Sequence, residues 1–375
     1  MSTNWELSVD RETFLARYWQ KKPLLLKNAI SGFTPPLSSD QLAGLALEED
    51  VESRLIERRD NSWTLHHGPF CEADFHREHP WNLLVQAVDH YIPAVAELRR
   101  LIDFIPQWRI DDVMVSYAVD GGGVGPHYDN YDVFLLQGEG EKLWQLGQFC
   151  DSASKLLPHG ELRILDAFTP REEYLLSPGD MLYVPPGIAH WGVARGESMT
   201  FSIGFRAPRI VDMVSRWVDQ LLQQLEPDQF YQDGRRAPMT RPGEIHPRDL
   251  ERAMAQLQGA LDQSSNNYWF GELVTEPREE PLQGNLQEAR ALLRGRPRCI
   301  ELSSTARLAW QQEADGIQVF ANGERREFNE SVLPSLLLMC DSWRLAAAEL
   351  DDALADAGTT QLLEYLLESG VIDVQ

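Results

Sequence analysis

Three side chains are spaced for metal chemistry: His127 and Asp129 in Gly125-Pro-His-Tyr-Asp129, and His190 at the end of Tyr183-Val-Pro-Pro-Gly-Ile-Ala-His190. In an extended strand, residues i and i+2 project to the same side, so His127 and Asp129 present an imidazole and a carboxylate together. With His190 they make a set of two histidines and one carboxylate. Such a facial set leaves three positions of an octahedron open, as a reaction of oxygen with a chelating co-substrate requires. His-x-Asp alone recurs by chance in many chains. Here it stands in a β-rich region, with the second histidine at a strand–turn boundary. His66-His67 and the His76/His79 pair lack that setting and read as surface polar residues.

The elements that must hold these residues lie between Trp108 and Pro208. Short β-branched and aromatic runs (Val113 to Val119, Val133 to Leu136, Leu143 to Leu146, Met181 to Val184, Met199 to Phe205) alternate with Gly, Pro and Asp. This texture predicts an antiparallel sandwich or barrel. Gly121-Gly122-Gly123 and Pro126 break the strand before His127 and let backbone approach closely. Pro178-Gly-Asp180 and Pro185-Pro-Gly187 predict turns on either side of one strand. Asp112, Met114 and Ser116 share one strand face by counting in twos.

Before this region, residues 1 to about 105 read as mostly helical with some strands. Phe14, Tyr18 and Trp19 form one side of a short helix that stops before Pro23, and Leu24-Leu25-Leu26 reads as a short buried strand. After Pro208 the pattern turns helical. Val211, Val214, Val218, Leu221, Leu222 and Leu225 form one apolar stripe, and Leu250, Met254, Leu257 and Leu261 a second. Residues 272–283 read as a linker, and Asn322-Gly323 predicts a hairpin. The expected class is α+β. Residues 1–208 would form the first domain with its β-core at about 108–208, 209–271 a helical region, and 284–375 a C-terminal domain.

Across 375 residues, 58 Asp and Glu against 34 Lys and Arg leave a net charge of −24. Such a surface repels phosphate backbones and disfavours direct nucleic-acid binding, while it attracts a basic protein. Acidity for solubility alone is the plainer reading. No run reaches the roughly 18 apolar residues of a membrane span, and the first 25 residues lack a secretory apolar core, so a cytoplasmic protein is expected. Cys71, Cys150, Cys299 and Cys340 make no Cys-x-x-Cys pair, which argues against a zinc site built from them.

The sequence resembles the JmjC-type oxygenases of the cupin superfamily, and specifically the bacterial ribosomal oxygenases. The resemblance runs over essentially the whole chain. It includes Tyr18-Trp-Gln-Lys-Lys-Pro-Leu-Leu-Leu-Lys27, Trp108-Arg-Ile-Asp-Asp112, Gly121-Gly-Gly-Val-Gly-Pro-His-Tyr-Asp-Asn-Tyr-Asp-Val-Phe134 and Ser202-Ile-Gly-Phe-Arg-Ala-Pro208. It implies a double-stranded β-helix (jelly-roll, cupin/JmjC), a helical dimerisation region and a C-terminal winged-helix-like domain. It also implies iron(II), 2-oxoglutarate and O2, and hydroxylation of an arginine in ribosomal protein L-sixteen of the large subunit, a basic partner that suits the acidic surface.

By the same resemblance, Lys142 matches the basic residue that binds the far carboxylate of 2-oxoglutarate. Relatives often place arginine there, and lysine offers a point charge without the bidentate fork. Ser202, like Ser116, stands where a small polar side chain faces the iron pocket. A substrate arginine needs an acidic partner and apolar walls, for which Asp112, with Met114 and Tyr131, is the candidate; the alternative is that Asp111-Asp112 merely starts a surface strand. Other readings remain open: an oxygenase acting on histidine or demethylating lysine, a cupin binding zinc or manganese for isomerisation, and a non-catalytic scaffold. Residues 341 to 375 carry one Arg among many acids, which makes DNA binding by the C-terminal region unattractive.

Overall fold

The computed structural model describes residues 5–60, 62–236, 238, 240–262, 267–278 and 284–374. The chain divides into two units, Met1–Ala207 and Pro208–Gln375.

In the first unit, helix α1 (Arg11–Arg17) is opened by Asp10, whose carboxylate accepts the Thr13 backbone N–H at 3.3 Å. The helix buries Phe14 against Tyr183 and Phe134, with ring centroids 4.9 and 5.5 Å away. Strand β1 (Leu24–Leu26) and helix α2 (Ser39–Leu45) follow, the latter closed at its start by a Ser38–Gln41 capping box. Next come β2 (Ser53–Arg59), β3 (Ser62–His67), β4 (Trp81–Val85), the single turn α3 (Pro93–Ala96) and β5 (Ile110–Ala118). Four more strands complete the sheet: β6 (Val133–Phe149), β7 (Glu172–Leu176), β8 (Met181–Val184) and β9 (Ile188–Phe205). Its order is β1-β8-β6-β9-β5-β4-β2-β3, with β7 also on β6.

β6 and β9 form the spine. They pair from Val133↔Gly204 to Phe149↔Ile188, with register shifts around Glu139. At those shifts β6 changes its other neighbour, from β8 (Val133↔Val184) to β7 (Lys142↔Leu176). The paired strands therefore bend from one face of a barrel to the other, giving the double-stranded β-helix. Here the sequence reading needs correction. Val133–Leu136 and Leu143–Leu146 were expected as separate strands, but they are two ends of one, because Gly138-Glu-Gly140 forms an irregular bend and not a turn. His190 likewise lies inside β9, not beyond it.

The sheet has two buried sides. One carries Phe134, Leu136, Val113, Val115, Phe201 and Ile203, covered by the N-terminal helices. The other is the barrel interior, with Val133, Leu135, Trp144, Leu146, Leu176, Leu182 and Val184. Side chains directly opposed in the ladder share a face. Met114 and Leu135 both oppose Ser202, and Ser116 and Gln137 both oppose Thr200, so all six look into the barrel.

The second unit begins with α4 (Ile210–Gln224) and α5 (Pro247–Asp262), whose apolar stripes are open in part: Val211 is 64% exposed and Leu257 58%, while Leu221 is buried. Then come α6 (Tyr268–Thr275), α7 (Leu286–Arg294), β10 (Cys299–Leu302), β11 (Leu308–Glu313), β12 (Gly316–Ala321) and β13 (Glu324–Phe328). The unit ends with α8 (Leu333–Ser342), β14 (Arg344–Ala346), α9 (Ala347–Ala355), α10 (Ala357–Glu368) and β15 (Ile372–Val374). Two three-stranded sheets, β14-β10-β15 and β11-β12-β13, share a core with α7, α8 and α10. Asn322 and Gly323, both at positive φ (48° and 86°), turn β12 into β13 as Asn-Gly predicts. The linker expected at 272–283 is helical up to Thr275, and residues 279–283 lie outside the described residues. Helix α6 is anchored to the β11–β13 sheet: Tyr268 donates to Glu313 at 3.0 Å, and the Thr275 hydroxyl accepts the Gly323 N–H at 3.2 Å. Among the described residues, no helix is long and apolar enough to cross a membrane.

Candidate metal centre

His127, Asp129 and His190 come together. Their donor atoms lie within 4.8 Å of one another, the one such set of three found among the described residues. The two segments that carry them are paired directly. His127 N–H donates to His190 C=O at 3.0 Å, His190 N–H returns a bond to His127 C=O at 2.8 Å, and Gly187 N–H donates to Asp129 C=O at 2.8 Å. Residues 127–129 are extended without belonging to a longer strand, so the alternation expected from a strand survives on three hydrogen bonds. Tyr128 points the opposite way, into a small cluster with Cys150, Leu165 and Ala189, and its hydroxyl donates to Asp151 C=O at 2.7 Å.

Glycine makes the pairing possible at two points. A Cβ on Gly123 would stand 2.2 Å from the Gly192 carbonyl oxygen of β9. Gly187 turns at φ +79°, a conformation that a side chain disfavours. The close approach expected of the glycine tract is therefore an approach to the strand bearing His190.

Both imidazoles are oriented the same way. His127 Nδ1 lies 2.9 Å from Gly125 C=O, and His190 Nδ1 2.9 Å from Ile188 C=O. A carbonyl only accepts, so Nδ1 holds the proton and Nε2 keeps its lone pair for a metal. Burial, with His127 second, pulls His190 down to about 4 and keeps it neutral. His190 Nε2 lies 3.5 Å from Asp129 Oδ2.

Lys142 supplies the other charge in the barrel. It is 3% exposed, and its Nζ donates to Ser116 Oγ at a long 3.4 Å. Among the described residues it has no carboxylate partner, and burial alone pulls its ammonium down to about 8. A buried cation without a counter-ion is costly, and an anionic ligand is what would offset that cost. Beside it lies a polar layer that sequence reading missed. Gln137 Nε2 donates to Ser198 Oγ at 2.9 Å, and Thr200 Oγ1 donates to Gln137 Oε1 at 3.2 Å. These residues are dispersed along the chain, and only the bend in β6 brings them beside Lys142.

Comparison with known proteins agrees with this geometry. Residues 97–213 match the JmjC domain family and residues 259–373 the ROXA-like winged helix. The chain is 35% identical over 381 residues to the ribosomal protein uL16 3-hydroxylase of Escherichia coli (strain K12), covering 98% of each protein. The X-ray structure of E. coli ycfD superposes with a TM-score of 0.86 at 35% identity over 100% of both chains. The same protein in complex with cobalt and 2-oxoglutarate gives 0.82 at 34% identity, over 99% of this chain and 100% of that one. This chain belongs to the JmjC-type ribosomal oxygenases.

The residues fit the iron(II) and 2-oxoglutarate of the ribosomal oxygenases. Two imidazoles with free Nε2 atoms and one carboxylate make the ligand set of non-haem iron, and the buried Lys142 ammonium is a charge that a dicarboxylate would neutralise. Four cysteines, all free thiols, make no competing cluster among the described residues.

Of the remaining sequence candidates, Asp112, Met114 and Ser202 lie on β5 and β9, and Tyr131 lies in the bend before β6. Ser202, 8% exposed, opposes Met114, which is half-buried. Asp112 is 4% exposed and not on the surface. Its Oδ2 accepts Gln86 Nε2 at 2.6 Å and the Ala87 N–H at 3.0 Å. Tyr131 is 45% exposed, yet its phenol end is desolvated between Asp129 and Asp112, which holds the proton on. Gln86, which links Asp112 to Arg54, carried no signal in the sequence.

Proposed function

We propose that this ribosomal oxygenase hydroxylates an arginine side chain of the large-subunit ribosomal protein uL16. The observation that carries the reading is the facing pair of features in one barrel. One is a two-histidine, one-carboxylate set with its lone pairs free; the other is a buried ammonium with no carboxylate partner among the described residues. The full-length similarity to a relative named as a uL16 3-hydroxylase supports the substrate.

In this reading His127, Asp129 and His190 hold the iron. Lys142, with Ser116, holds the far carboxylate of 2-oxoglutarate, and Ser202 lines the pocket between. Iron with 2-oxoglutarate and O2 supplies the oxidant for an unactivated C–H bond. The chain's own residues bind, orient and exclude water. Nδ1–H bonds to Gly125 and Ile188 fix both imidazoles, and the apolar residues around Leu135 and Leu182 keep the interior dry. Asp112 and Tyr131 stand on the side toward which a basic side chain would be drawn, with Met114 as an apolar wall. The net charge of −24 favours the approach of a basic ribosomal protein.

The exposed apolar residues of α4 and α5 support a homodimer paired through these helices, and the hold of α6 on the β11–β13 sheet supports a winged-helix unit that begins before the expected residue 284. The enzymatic reading is tested by incubating the iron(II)-loaded protein with uL16, 2-oxoglutarate and O2 and reading peptide masses. The expected result is one added oxygen on a single arginine, absent with His127→Ala. Succinate release with unmodified uL16 would remove the substrate assignment and leave the oxygenase.

A further inference from the structure

The barrel interior contains a donor that neither the metal set nor the Lys142–Ser116 pair uses. Trp144 is 6% exposed, and its Nε1–H is buried without a hydrogen-bond acceptor among the described residues. An indole N–H buried without an acceptor keeps its desolvation cost uncompensated, which makes such orphans uncommon. The position of this one is telling. The indole centroid lies 5.4 Å from Lys142 Nζ and 5.9 Å from the His190 ring. It thus borders the space between the ammonium and the metal-binding histidines.

The opposite strand is shaped to receive it. Trp144 opposes Gly192 in the β6–β9 ladder, and a Cβ on Gly192 would stand 2.9 Å from each of three carbons of the indole's six-membered ring. The ring lies flat across the glycine, so its position is fixed by packing. Its apolar neighbours Val133, Leu146 and Val184 offer no acceptor side chain.

A ligand that spans this space satisfies the indole donor only if it brings a hydrogen-bond acceptor. A dicarboxylate has that character, since each ionised carboxylate is an acceptor only, whereas indole is a donor only. We infer that Trp144 Nε1–H is a further binding group for the 2-oxoglutarate of the proposed function, donating to one of its carboxylate oxygens alongside Lys142. The inference rests on the reading that 2-oxoglutarate occupies this barrel. In that complex the orphan donor gains its partner, and the lysine that gives only a point charge gains a directional companion.

The test is 2-oxoglutarate binding by calorimetry to zinc-loaded protein, wild type against Trp144→Phe, which keeps an aromatic ring and removes the N–H. The expected result is an affinity about tenfold weaker or more, as for a lost bond to a charged acceptor, with zinc affinity unchanged. Equal affinity in the two proteins overturns the inference and leaves 2-oxoglutarate in its place. Absence of binding in the wild type overturns both. Should Trp144→Phe fail to fold, the wild type still decides. With ¹³C-labelled 2-oxoglutarate, an indole N–H in the zinc-loaded complex should show a nuclear Overhauser effect to the ligand methylenes. A bound ligand without one overturns the proposal.

Discussion

The backbones of His127 and His190 exchange two hydrogen bonds, of 3.0 and 2.8 Å, so the two imidazoles leave the chain side by side with centroids 4.3 Å apart. The metal set is thus built on main-chain pairing between two distant segments, and Gly187 N–H to Asp129 C=O completes it. Side-chain identity alone would not give this geometry.

Disturbing that pairing should therefore weaken metal binding with every ligand intact. Gly187→Ala puts a Cβ into a left-handed conformation at φ +79°, 2.6 Å from a Phe149 ring carbon. The left-handed strain alone costs roughly 1–2 kcal/mol. We expect a lower melting temperature and a cobalt(II) affinity reduced several-fold in an absorption titration. Wild-type affinity in this variant would separate the metal set from the backbone pairing.

Lys142 sets a pH limit. Its pKa of about 8 lies below the ordinary lysine value of 10.5, because burial disfavours the ammonium. Below pH 8 both folded and unfolded chains carry the proton, and the cost of burying the charge is fully present. Between about pH 8 and 10.5 the unfolded chain holds more protons, so this residue's contribution to stability rises with pH. Co-substrate binding runs the other way. Affinity for 2-oxoglutarate should be flat below pH 8 and should fall above it, approaching tenfold per pH unit. Calorimetry across pH 7 to 9.5 measures it; an unchanged affinity at the upper end would detach the ligand from Lys142.

At the same position, Lys142→Ala should lose most of its 2-oxoglutarate affinity while keeping metal affinity, since the lysine's hydrogen bond goes to Ser116 and not to a metal-binding side chain. Truncation also removes the buried charge, so the variant should not melt below the wild type. Loss of metal binding together with co-substrate binding would show that Lys142 supports the barrel as a whole.

Phe14 tests how the N-terminal helix is held to the sheet. Its ring is 1% exposed and packs on Phe134, Tyr183 and Phe104. Phe14→Ala should cost roughly 3–5 kcal/mol in denaturant unfolding of the first unit. A loss under about 1 kcal/mol would mean that this site collapses around the cavity.

The stripes of α4 and α5 make the oligomeric state measurable. Val214 and Leu222 are 50% and 62% exposed on α4. Light scattering at micromolar concentration should give a dimer for the wild type and a monomer for Val214→Glu with Leu222→Glu. A monomeric wild type would end the homodimer reading.

The sequence by itself determined the metal set. Histidine and aspartate two apart in an extended segment must project together, and that local rule survives even where the strand is reduced to three hydrogen bonds. It also determined the short elements with local signals: the strand after Pro23, the turns flanking Met181–Val184, and the Asn322-Gly323 hairpin. Tertiary structure decided the rest, for non-local reasons. Nothing local distinguishes the bend at Gly138-Glu-Gly140 from a turn, because only pairing with β9 carries the strand through it. Only that bend places Lys142 and Trp144 on the interior face with Ser116, Gln137 and Thr200. The burial of Asp112 depends on Gln86 and Ala87, about 25 residues earlier in the chain, and the end of α6 from Glu272 reads as linker until the β11–β13 sheet supplies its partners. Ligand chemistry was written in residue types and their spacing, while the cavity those ligands face exists only where separate strands meet.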